Sequence, residues 1–95
     1  MHFVYVLYSQ KTHSFYIGET SNIENRLLWH NNKEFQKAYT KISNDWKLYF
    51  QINCIDIIQA RKIEKHIKAM KSKLYIENLV KFPEISKNLL VKYFR

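Results

Sequence analysis

What this chain is short of sets the first limits on what it can do. Its single cysteine, Cys54, excludes a disulfide within the chain and a thiolate zinc cluster, and a reducing, cytoplasmic setting is the expected one. One proline, Pro83, leaves no proline-rich linker, and one glycine, Gly18, leaves no glycine-rich loop to cradle phosphates. No apolar run approaches the ~20 residues of a membrane span, and the opening Met-His-Phe-Val-Tyr carries no cationic leader, so neither membrane contact nor export is expected. No meaningful Ser-His-Asp order and no paired carboxylates suggest triad or two-carboxylate hydrolysis. Acidic residues are scarce too: eight Asp and Glu face sixteen Lys and Arg, for a net charge of +8. The expected partner is a polyanion, nucleic acid first.

What remains is rich in core-forming residues. The chain of 95 residues is 46% hydrophobic and 16% aromatic, enough for one packed domain. Residues 2–9 and 15–20 read as strands joined by a polar hairpin over 10–14, and residues 46–54 read as a third. Register decides the faces: a loop of even length would place Tyr5, Tyr16 and Gly18 on one side of the hairpin, with Val4, Val6, Phe15 and Ile17 on the other. Ser21-Asn22-Ile23-Glu24 has the form of a capping box opening a helix to about Asn31. On that helix Ile23 and Leu27 face the core, and Arg26 and His30 form the adjacent stripe. Asp56 caps a helix over 57–70 with Ala60, Ile63, Ile67 and Met70 as its buried stripe. A helix over 73–81 carries Leu74, Ile76, Leu79 and Val80 and stops at Phe82-Pro83, and 86–93 is a last short helix. The expectation is an α+β fold, a three-stranded mixed or antiparallel sheet flanked by helices. The β-β-α-β-α core covers about 2–80 of a single domain spanning 1–95, and a helical tail covers 81–95.

Gly18 interrupts Phe15-Tyr16-Ile17-Gly18-Glu19-Thr20, where a glycine weakens a strand. It marks a bulge, a tight bend, or room for another backbone or a ligand beside the tyrosines. Arg26 can grip a phosphate bidentately, and Glu64 is a hard oxygen ligand for one Mg²⁺ or Mn²⁺ that keeps most of its water. The ordinary alternatives are a surface ion pair for Arg26, a helix carboxylate paired with Lys68 for Glu64, and half-buried strand aromatics for the tyrosines. Arg61, Lys62, Lys65, Lys68, Lys71 and Lys73 crowd the segment around Glu64 and suit phosphate backbones. Lys37, Tyr39, Lys41 and Trp46 form a second basic and aromatic group, where an unpaired base could stack. His2, His13 and His66 have no metal-ligand spacing and read as surface residues.

Taken together, Val4-Tyr5, Tyr16-Ile17-Gly18, Arg26 and His30 on the next helix and Glu64 on a later one resemble the GIY-YIG nuclease family. The resemblance covers about residues 2–80 and is closest to small stand-alone members. Phe3-Val4-Tyr5 lacks the first motif's glycine but keeps its tyrosine. The resemblance implies a metal-dependent DNA endonuclease with Glu64 as the sole protein ligand of one ion and Arg26 stabilising the transition state. It also implies that one tyrosine, Tyr5 by preference, deprotonates the attacking water while Tyr16 orients it. His30 could relay that proton instead. Asn78 stands near a late asparagine of larger members. DNA repair or recombination, on branched or damaged DNA or with a protein partner supplying specificity, is the expected context. An inactive nucleic-acid-binding module of the same fold and a basic protein-interaction domain are the alternatives.

Overall fold

The computed structural model describes residues 1–32 and 43–94. Unbroken Val, Tyr and Leu in His2–Ser9 make β1 the central strand, apolar on both sides. Ser14–Thr20 forms β2 and Lys47–Cys54 forms β3, and both pair antiparallel with β1 in the order β2-β1-β3. Opposite Tyr49 the β1–β3 register shifts between Val6 and Leu7, a local irregularity in an otherwise regular ladder. In the hairpin Tyr5 faces Gly18 and Leu7 faces Tyr16, so the expected set shares one face. His13 takes a left-handed conformation (φ 51°) in the turn, where no glycine is present to do so.

Helix α1, Ile23–Asn31, begins one residue later than the capping-box reading places it. Asn22, not Ser21, is the cap: its side chain accepts from Asn25 N at 3.0 Å, and its own N–H donates to Thr20 Oγ1 at 3.1 Å. At the other end the Asn31 amide donates to Trp46 O at 2.9 Å and accepts from Trp46 N at 2.8 Å, tying α1 to the residue that precedes β3. Trp46 is therefore buried under Tyr5 and Leu7 and is no stacking platform for a base.

The other face of the sheet is covered by α2, Ile57–Met70, with α3, Lys73–Lys81, and α4, Pro83–Lys92, beyond it. Asp56 caps α2 as expected, accepting from Gln59 N at 2.9 Å. Val4, Val6 and Ile52 meet Ala60, Ile63 and Ile67, and the same buried cluster takes in Ile76, Leu79 and Leu89. The tail beyond residue 80 is thus part of the interior. Met70, expected in the buried stripe of α2, is exposed where it ends the helix, and α3 buries Ile76 and Leu79 while Leu74 and Val80 stay exposed. Helix α4 starts at Pro83 rather than 86, since proline's fixed φ and missing N–H suit a first helical position. His2 and His66 are half-buried: His2 bonds Glu19, and the His66 ring is joined to the Tyr93 hydroxyl at 2.8 Å. Among the described residues no helix is long and apolar enough to cross a membrane.

Candidate active site

Because β2 is an edge strand, α1 on one face and α2 on the other can both reach past it. At that edge a cleft of about 290 Å³ is lined by Tyr5, Tyr16, Gly18, Glu19, Arg26, Arg61 and Glu64. Four elements, β1, β2, α1 and α2, supply these residues.

Tyr5 is the deepest of them, 2% exposed, and its hydroxyl is hydrogen-bonded to His30 Nε2 at 2.9 Å. His30 is fully buried behind it and packs on Tyr16 with ring centroids 4.6 Å apart. Burial first, then the neighbouring Tyr16, pushes the Tyr5 phenol well above its ordinary range, while Arg26 pulls it back down and Glu64 and Glu19 add to the rise. The phenol therefore rests neutral. Gly18 has a bearing on its position that the sequence left open. A Cβ at Gly18 would lie 2.5 Å from the Tyr5 hydroxyl oxygen and 2.6 Å from Cζ. The room beside the glycine is occupied by the chain's own phenol, not kept for a ligand.

Arg26 stacks on Trp29, with its guanidinium carbon 5.1 Å from the ring centroid. None of its guanidinium donors is bonded to another described residue, which leaves them for an anion in the cleft. Glu64, with its side chain 20% exposed, lines the cleft and also receives Lys68 Nζ at 3.4 Å, so the expected i,i+4 pair and the expected site placement are both present. Glu19, which sequence reasoning missed, brings a second carboxylate. Its Oε1 accepts from His2 Nε2 at 2.7 Å and its Oε2 from Arg61 Nε at 3.1 Å.

These donors decide how an ion could sit here. No cluster of three or more His, Cys, Asp or Glu suited to a metal occurs among the described residues, and both Glu19 oxygens are engaged, one by His2 and one by Arg61. Glu64 meets Lys68 through Oε2 only and keeps Oε1 for an ion, which fits a hard cation holding most of its ligands as water.

The basic residues divide. At about 100° per residue, Arg61 and Lys68 fall on the Glu64 side of α2, while Lys65 lies about 100° and Lys62 about 160° round. Lys71 ends the helix in a left-handed conformation (φ 48°), and Lys73 Nζ donates to His13 O at 2.9 Å. Asn78 is half-buried on α3, does not line the cleft, and its carbonyl accepts from Phe82 N. Lys37, Tyr39 and Lys41 lie outside the described residues.

Compared with known families, residues 1–77 match the model of the GIY-YIG catalytic domain. The chain belongs to the GIY-YIG family. That family is made up of endonucleases, so this GIY-YIG domain is a nuclease at the level of its family, and its antiparallel sheet with four helices is consistent with the family's fold. Searches of the curated proteins and of the solved structures return no match.

Proposed function

We propose that this GIY-YIG protein is a metal-dependent DNA endonuclease that hydrolyses phosphodiester bonds in the β2-edge cleft. The observation that carries the reading is the convergence of Tyr5, Tyr16, Arg26 and Glu64 from four elements on one polar cleft, with His30 bonded behind Tyr5.

Arg26 grips the scissile phosphate and offsets the charge that grows on its oxygens. Tyr16, half-buried at the wall, orients the attacking water. A raised phenol makes a poor store of negative charge but a good conduit. With His30 in its Nδ1–H tautomer, Tyr5 accepts a proton from the water as its own passes to Nε2, so no free phenolate forms. Glu64 would hold one Mg²⁺ or Mn²⁺, which supplies charge neutralisation at the phosphate and the leaving oxygen when bound. The lining residues answer to phosphate rather than to base edges. Choice among duplex, branched or damaged DNA then falls to surfaces outside the cleft or to a protein partner.

Nicking of supercoiled plasmid with Mg²⁺ or Mn²⁺, against EDTA, tests the reading. Glu64→Ala and Arg26→Ala are each expected to slow cleavage by on the order of 10²-fold or more. Cleavage at the wild-type rate in both purified variants overturns it.

A further inference from the structure

Glu19 takes no part in the chemistry above, yet it stands in the cleft wall where a carboxylate repels phosphate. Burial raises its carboxyl, but the bonds from His2 and Arg61 outweigh that and leave it below the ordinary range, so it is ionised at neutral pH. Its bond to Arg61 offers a compensating role. The Arg61 side chain is 67% exposed, and an arginine so exposed ordinarily sacrifices rotamer freedom to grip a ligand. Here Nε is fixed on Glu19, whose other oxygen is fixed in turn by His2. The two terminal amino groups of Arg61 make no bond to another described residue, and with Nε taken by Glu19 they are the pair that meets a phosphate end-on. Arg26 and Arg61 come from helices on opposite faces of the sheet and border the same cleft.

We propose that Glu19 is a positioning residue that holds Arg61 in the cleft as a second phosphate clamp, gripping the phosphate next to the one Arg26 holds. The inference rests on the endonuclease reading for its ligand, DNA, but it concerns binding rather than cleavage. Its signature is one of sign. Removing a carboxylate from a DNA site should tighten binding if charge alone matters; removing this one should weaken it, because Arg61 comes loose.

The test is affinity for a short fluorescein-labelled DNA duplex in EDTA, followed by anisotropy over a salt series. Arg61→Ala should weaken binding about five- to tenfold at low salt and flatten the dependence of log K on log salt by about one unit. Glu19→Ala should weaken binding to a similar degree in the wild-type background and not at all in the Arg61→Ala background, a non-additivity that a general loss of folding would not produce. Glu19→Gln, which keeps an acceptor for Nε, should stay within about twofold of wild type. Binding by Glu19→Ala as tight as wild type or tighter, or an unchanged slope in Arg61→Ala, overturns the clamp and leaves the endonuclease reading standing. Wild-type binding with no cleavage under either metal removes the endonuclease reading alone, whereas no salt-sensitive wild-type binding removes both.

Discussion

The two faces of the central strand do different work with the same backbone. On one, Val4 and Val6 enter a cluster that α2, α3 and α4 line with Ala60, Ile63, Ile67, Ile76, Leu79 and Leu89, all apolar and mutually replaceable in kind. On the other, Tyr5 meets a glycine, a histidine and a second tyrosine, each contact specific in atom and distance. The first face holds the protein together through area. The second gives up some apolar packing to hold a hydroxyl and an imidazole in one arrangement. Damage to the first should read out as stability, and damage to the second as chemistry.

Tyr5→Phe should break the contrast most sharply. It removes the proposed path for the proton and is expected to lower cleavage by about 10² to 10⁴-fold in steady-state assays, while costing only about 1–3 kcal/mol in urea unfolding from the lost bond to His30 Nε2. Its pH behaviour has a definite sign. Above the ordinary tyrosine value of about 10 the unfolded phenol ionises while the folded one, raised by burial, stays neutral, so wild-type stability should fall as pH climbs past that point and the phenylalanine variant should lose less. Ile63→Ala should show the reverse pattern. Ile63 is fully buried in the aliphatic cluster, and its truncation should cost about 2–5 kcal/mol with the specific activity of the folded fraction intact. Gly18→Val probes the boundary between the two, because the new Cβ displaces the Tyr5 hydroxyl from His30. A stability loss of about 1–3 kcal/mol accompanied by a cleavage defect close to that of Tyr5→Phe is expected. Smallest of all, Lys62→Ala should leave DNA affinity nearly unchanged in the anisotropy assay. Lys68→Ala, on the Glu64 side of α2, should reduce the salt slope by about one unit.

Much of this was readable before any coordinates. Val and aromatic enrichment placed the strands, and the 3.6-residue period placed α2 with its Asp56 cap, because both signals are local. Gly18 pointed to the right place but not to its tenant, since nothing near it in sequence says that Tyr5 fills the gap. Glu19 was invisible for the same reason: His2 is 17 residues away and Arg61 is 42, and a carboxylate between two distant donors has no short-range signature. Asn22 displaced Ser21 as the cap because both residue types suit that position and one residue's shift decides which is used. Met70, Leu74 and Val80 follow helical periodicity yet remain exposed, because a period tells which residues share a face and not whether another element reaches it.

The proposed chemistry depends on Glu64 holding an ion within the cleft bordered by Tyr5 and Arg26. A crystal of the wild-type protein soaked in Mn²⁺ and measured for anomalous scattering tests it directly. The account predicts a single peak at the Glu64 carboxylate inside the cleft, with Glu19 still bonded to His2 and Arg61. A Glu64 side chain turned to solvent with no peak beside it, or an ion seated on Glu19 instead, would contradict the account.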